Sequence, residues 1–217
     1  MGKCYRELFY ADKAMDEQNA ALALYPNYAD AMWEKGILYV NKKDYSTGID
    51  WYKKAFPHFA NDSVASYTLC GNIAICYQNT RNYLEAVNWQ LKRKNYSKNK
   101  YIEYAKIAAL QYNLKQSATA EKTCTEAINA YALESQSVKT NASSNYVKLN
   151  AIAGKIALEK KDTARAQTYF EEALRLDKNA FEPNAGTGEI AWARKREEDY
   201  KKYYNNIYKS TYDTLIS

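Results

Sequence analysis

Glycine and proline are scarce in this chain of 217 residues, with seven of the one and three of the other. An all-β fold with many tight turns needs both in quantity, so that class is excluded. His58 is the only histidine. Any nucleophile activated by imidazole would have to use it, yet it directly follows Pro57 and nothing in the sequence places a serine or cysteine beside it. No HExxH, no Walker A loop and no GxGxxG occurs. Gly186-Thr187-Gly188 is an isolated fragment, read as a loop ahead of the last helix pair. No apolar run approaches the roughly 18 residues that a membrane-crossing helix needs. The four cysteines, Cys4, Cys70, Cys76 and Cys124, fit neither a zinc site nor a CxxC pair, and read as small core residues. Acidic residues such as Glu171 and Glu172 fall on polar helix faces. The expectation is a chain that is not an enzyme and uses no metal or cofactor.

Helix formers are abundant instead: Ala, Lys, Leu, Glu and Gln dominate. With 47% hydrophobic residues there is enough to bury a continuous core. The net charge of +6 permits an acidic partner without arguing for one. The most basic run, Lys92 to Lys100, falls where repeats connect and reads as a solvated turn rather than a contact for phosphate or lipid. No nucleic-acid partner is expected.

A small residue returns at Ala14, Gly48, Ala86, Ala120 and Ala166, at spacings of 34, 38, 34 and 46. A second follows seven residues later in most copies, at Ala21, Ala55, Ala127 and Ala173. Ahead of several copies stands the same phrase, Asn41-Lys42-Lys43-Asp44-Tyr45, then Asn79-Thr80-Arg81-Asn82-Tyr83, then Lys160-Lys161-Asp162-Thr163. A period of this size marks a repeat array, which usually works by presenting a surface. Each copy reads as two antiparallel helices. In the second copy Met32, Gly36 and Tyr39 share one face, Asp44 caps the next helix, and Tyr45, Gly48, Ile49, Tyr52 and Ala55 form its apolar stripe. Small residues at Gly36, Ala74, Ala108 and Gly154 allow close helix approach, and Tyr39, Tyr77, Tyr52 and Phe170 fill the wider gaps.

These residues resemble the tetratricopeptide repeat family, whose 34-residue pattern runs Leu-Gly…Tyr…Ala…Phe…Ala…Pro. Gly154…Leu158…Ala166…Phe170…Ala173 matches it, as do Gly36…Tyr39…Gly48…Tyr52…Ala55 and Ala14…Ala21…Pro26. The turn glycine usual in the family is replaced by Lys43, Arg81, Lys115 and Lys161. The resemblance implies an all-α, right-handed α-α superhelix, a solenoid of about five helix pairs plus a C-terminal capping helix. As a single solenoid over 1–217, the repeats run about 1–28, 29–62, 67–100, 101–134 and 147–180, with capping helices over 181–217. The polar stretch Ser135 to Asn145 is an excursion, either functional or a tolerated insertion. Near the C-terminus Tyr200, Tyr204, Tyr208 and Tyr212, widened by Tyr203, Ile207 and Leu215, either cap the core or dock a partner helix. Gly2 aligns with Gly36, so the first copy starts in mid-repeat. A piece of a longer protein is expected, its targeting segment out of view, cytoplasmic or periplasmic.

In this family the first helix of each pair lines the concave face, which implies a scaffold for a peptide or protein segment. Trp33, Ile37, Val40, Ile75, Ile102, Ala109 and Tyr112 would share that face, making a groove more apolar than charged. Asn41, Asn79 and Asn113 hold equivalent places and could bond a peptide backbone, since a carboxamide both donates and accepts. The same places suit a helix C-terminus, where Asn tolerates left-handed backbone. Asn72 and Lys106 match two places of the family's carboxylate clamp, but Ile102, Trp33 and Ile37 stand where its other polar residues belong. The candidate ligand-binding set is therefore Trp33, Ile37, Asn41, Asn72, Ile75, Asn79, Lys106, Tyr112 and Asn113. The alternative is a small-molecule or glycan-binding helical module with Trp33 and Tyr112 as stacking platforms.

Overall fold

A computed structural model describes residues 11–135, 139, 143–193, 199 and 201–207. Gly2, Cys4, part of the Ser135–Asn145 excursion, and Tyr200, Tyr208, Tyr212 and Leu215 lie outside the described residues. Helices with defined bounds are α1 (Ala11–Leu24), α2 (Ala29–Asn41), α3 (Tyr45–Ala55), α4 (Ser63–Asn79), α5 (Tyr83–Tyr96), α6 (Lys100–Asn113), α7 (Ser117–Ala132), α8 (Ser143–Glu159), α9 (Thr163–Leu176) and α10 (Phe181–Ala193). A 3₁₀ turn, Phe56–Phe59, follows α3, and residues 201–207 are helical. No strand occurs among the described residues.

The chain falls into two compact units, Met1–Lys98 and Asn99–Ser217. In the first, α2 pairs with α3 and α4 with α5, α1 packs on α2, and α3 packs on α4. In the second, α6 pairs with α7 and α8 with α9. There α8 also packs on α6 and α7, and α10 on α8 and α9. Each element thus buries its apolar stripe against its neighbours, as the repeat pattern requires.

Four turns inside the pairs are built alike. Lys43, Arg81, Lys115 and Lys161 have φ of 63°, 59°, 61° and 60°, and they are the residues that replace the expected turn glycine. At the first, Lys43 N–H donates to Val40 O at 2.9 Å and Asp44 N–H to Tyr39 O at 2.9 Å. Equivalent bonds close the other three turns, with Asn82 N–H on Tyr77 O, Gln116 N–H on Gln111 O and Asp162 N–H on Ala157 O. These are Schellman closures, and they satisfy carbonyls that a helix end leaves open. The left-handed residue stands two places after Asn41, Asn79 and Asn113, so those asparagines end their helices without taking the left-handed form themselves. Side chains of Asp44, Asn82 and Asp162 then accept from the N–H groups of Thr47, Glu85 and Arg165, which starts the second helix. A side chain at positive φ costs about 1–2 kcal/mol, partly offset by the extra freedom of an unfolded glycine. Each of Lys43→Gly, Arg81→Gly, Lys115→Gly and Lys161→Gly is therefore expected to stabilise the protein by about 0.5–1 kcal/mol. Urea titration checks this. Uniformly lower midpoints would show that the lysine and arginine side chains contribute more than the backbone strain costs.

Glycines admit rings where helices meet. A β-carbon on Gly36 would overlap the ring of Tyr52, and one on Gly154 would overlap the ring of Phe170. Gly186 also faces Phe170. The fragment Gly186-Thr187-Gly188 is thus not a loop, as its glycines suggested, but the middle of α10, where the missing side chain makes room for the ring. The basic run is a connection between repeats only at residues 97–99. Lys92 to Tyr96 continue α5, with the Lys92 ammonium 4.1 Å from the Trp89 ring centroid and the Arg93 guanidinium 4.1 Å from that of Tyr67. In the excursion, Lys139 folds back to α7, donating to Ala132 O at 3.0 Å.

The buried cysteines behave as core residues. Cys70 and Cys76 sit in the first unit's cluster with Leu69, Ile73 and Trp89, and Cys124 in the second's with Tyr101, Tyr131 and Leu149. Burial pushes the thiols up to about 11, about 11 and about 12. Tyr131 stacks on Tyr146 at 3.8 Å and meets Tyr101 edge-on at 5.3 Å, and burial raises all three phenols.

Candidate functional site

The candidate residues of the first unit lie on α2 and α4. One side of each helix is buried in the cluster around Met32, Ile49, Tyr52, Leu69 and Ile73. Trp33 and Ile37 are half-buried at the edge of that cluster. The Trp33 ring meets Phe59 of the 3₁₀ turn edge-on, centroids 5.3 Å apart, and its buried indole N–H has no hydrogen-bond partner among the described residues. Asn41 closes α2 and is exposed.

On α4 the side turned from the core carries Val64, Thr68, Asn72, Ile75 and Asn79, at three- and four-residue steps. Val64 and Ile75 are 76% and 53% exposed. The Thr68 hydroxyl donates to Val64 O at 2.9 Å, and Asn79 Nδ2 donates to Ile75 O at 3.0 Å. Asn72 is half-buried and forms no hydrogen bond with the described residues. Asp62 fixes the start of the helix by accepting from the N–H groups of Val64 and Ala65, both at 2.9 Å. The structure thus brings Asn72, Ile75 and Asn79 together on one face.

In the second unit Lys106, Tyr112 and Asn113 lie on α6. Lys106 stands 3.5 Å from Glu103, whose side chain is 0% exposed. The Tyr112 hydroxyl donates to Glu159 Oε1 at 2.9 Å, while the Ser117 hydroxyl donates to Glu159 Oε2 at 2.7 Å. Burial, then the bond to that carboxylate, pushes the Tyr112 phenol up to about 12. Asn113 closes α6 and is exposed, and Ile102 and Ala109 are half-buried. Nearby, Glu121 pairs with both Lys160 and Arg165. Lys106 and Tyr112 are therefore each tied to a carboxylate of their own unit.

Sequence reasoning did not single out Glu103, Glu159, Ser117 or Phe59. Phe59 carried a usable signal, an aromatic two places after the helix-ending Pro57. The pairing of Tyr112 with Glu159 spans 47 residues and leaves no local trace. His58 is exposed on the 3₁₀ turn. Among the described residues no three His, Cys, Asp or Glu side chains gather as a metal site would require, and no helix is long and apolar enough to cross a membrane.

Residues 147–179 match the family model of the tetratricopeptide repeat. No curated protein matches the chain. Among solved structures it is similar to the C-terminal part of a TPR repeat-containing protein from Cytophaga hutchinsonii, at 16% identity over 85% of this chain and 70% of that one, with a TM-score of 0.71. It is also similar to BtubC from P. vanneervenii, at 14% identity, 97% and 91% coverage and a TM-score of 0.67. YrrB, a TPR protein with an unusual peptide-binding site, matches at 14% identity, 84% and 86% coverage and a TM-score of 0.63. Identities this low establish the fold: all-α, with helix pairs in series.

Proposed function

We propose that this chain, a tetratricopeptide-repeat protein and so by fold a protein-interaction scaffold, binds an extended peptide or protein segment on the faces of its first helices and catalyses no reaction. The observation that carries this reading is Ile75, an aliphatic side chain 53% exposed between the carboxamides of Asn72 and Asn79 on one helix face. Carboxamides can follow a peptide backbone because they donate and accept. An apolar residue between them offers a dry contact to one side chain of the segment. The face is held in place before binding, since α4 is capped at its start, closed by a Schellman turn and buried along its other side. Little ordering remains to oppose association. The second unit offers a face of its own on α6, with Ile102, Lys106, Ala109 and Asn113.

A peptide array followed by titration tests the reading. Ile75→Ala and Asn79→Ala are each expected to weaken the selected peptide about tenfold, an effect of about 1.4 kcal/mol. The melting temperature should barely move, because both residues are exposed. Binding unaffected by either change would sink the proposal. Trp33→Ala should weaken binding too, but also lower stability, since the indole packs on the core cluster and on Phe59.

The glycan-binding alternative has less support. The Trp33 ring is half-buried and edge-on to Phe59, and the Tyr112 hydroxyl is engaged by Glu159. A pocket of about 110 Å³ lined by Gln167, Glu171, Thr187, Ile190, Ala191, Asp199 and Tyr203 carries one aromatic ring rather than the cluster that stacking on sugars calls for.

A further inference from the structure

Ser63–Asn79 is a helix of 17 residues without a single Asp, Glu, Lys, Arg or His. Helix surfaces turned to water ordinarily carry charge, as α2 does with Asp30 and Glu34 and α6 with Lys100 and Lys106. Here the outward row is Val64, Thr68, Asn72, Ile75 and Asn79, amide, hydroxyl and aliphatic only. Charged groups of α3 and α5 border α4 at its far side and its flank, where Lys92 and Arg93 act on Cys70. Lys53 donates to the Tyr77 hydroxyl at 2.6 Å, on the far side of the helix from the row. Arg93 lies along one flank, over the Tyr67 ring and in the notch above Gly71, where a β-carbon would meet its Cζ and Nε at 2.9 Å. The Asp62 carboxylate is spent on the helix start.

We propose that the occupant of this face is an extended peptide segment with no charged side chain over the stretch that contacts Thr68 to Asn79. The inference rests on the peptide-binding reading above and narrows it to one class of segment. A basic side chain laid on the row would shed water and meet no acid of α4, and an acidic one would meet only the Arg93 guanidinium on the flank, which already lies over the Tyr67 ring. A neutral one loses little. Thr68 and Asn79 each direct a donor to a carbonyl of their own helix, which leaves their oxygens to accept. Main-chain N–H groups of the segment supply the matching donors, and Ile75 receives an apolar side chain.

The test is selection of a displayed random-peptide library against the full chain, followed by titration of the synthetic winner. The expected winners lack Asp, Glu, Lys and Arg at their core, and their affinity changes less than about twofold between about 50 and about 500 mM salt, since screening acts only on charge. Asn72→Lys and Ile75→Lys should each weaken them at least tenfold while circular dichroism stays unchanged. Acidic or basic winners that footprint on the same row and lose affinity steeply with salt would overturn the neutral-segment inference and leave peptide binding standing. Winners indifferent to both lysine variants, or no winners at all, would overturn both.

Discussion

Phe170→Ala is expected to destabilise the second unit by about 3–5 kcal/mol, the range for removing a fully buried aromatic. The ring is 0% exposed and packs with Ala157, Ala166 and Ile190. It occupies the gap left by two glycines, Gly154 on α8 and Gly186 on α10. Alanine at 170 would leave a cavity bounded by glycine backbone, which has no side chain to collapse into it, so the loss should fall toward the upper end of the range. Filling the same gap from the other wall is the complementary test. Gly154→Ala drives a methyl into the ring and should cost about 1–3 kcal/mol by overpacking. Urea denaturation with an unchanged slope measures both. A loss under about 1 kcal/mol for Phe170→Ala would show that the ring is not the keystone of this packing.

Alkaline solution should weaken the fold from about pH 9 upward. Cys70, Cys76 and Cys124 titrate at an ordinary 9.0 when unfolded, but burial raises them to about 11, about 11 and about 12 in the folded chain. A group raised in the folded state contributes stability that is fully present below its unfolded value. That contribution is lost as pH climbs through the folded one. Each thiol that ionises only on unfolding removes about 1.4 kcal/mol per pH unit. Three together would remove several kcal/mol by about pH 11. The raised phenols of Tyr101, Tyr131 and Tyr146 act in the same direction above about pH 10. Melting temperatures between about pH 8 and about pH 11 read this out. The expected fall should flatten when the three cysteines are replaced by alanine. A melting temperature constant to pH 11 would mean the thiols reach solvent more readily than their packing implies.

Period and residue size made the architecture legible. Ala14, Ala86, Ala120 and Ala166 are all fully buried, as are Ala55, Ala127 and Ala173 seven places after their markers. Such positions can be read because close helix approach tolerates nothing larger. The turns were legible only as departures. Lys43, Arg81, Lys115 and Lys161 gave no hint of positive φ by residue type, yet each holds the place where glycine was missed. The Gly186 misreading came from treating glycine as a chain-breaker when it was a packing residue. Arg93 escaped for the opposite reason. It stands where the repeat before it has Ala55, and only the space above Gly71 makes a guanidinium acceptable there. The candidate site was legible as a helix face but not as a set of partners. The face of α4 was implied by the family resemblance, since apolar residues lie all round that helix, Val64 and Ile75 outward and Leu69 and Ile73 inward. The bonds of Tyr112 and Lys106 to acids depend on folding that no local pattern records.

The ring of Phe170 has a consequence for how α10 comes away from α8. Because one side chain is gripped by backbone from both α8 and α10, α10 cannot peel away turn by turn. It has to release the ring in a single step, and in doing so it uncovers α8. Release of α10 from α8 is therefore expected to be cooperative, with amide protons in the middle of α10 exchanging in concert with those of α8 around Gly154 rather than with the end of their own helix.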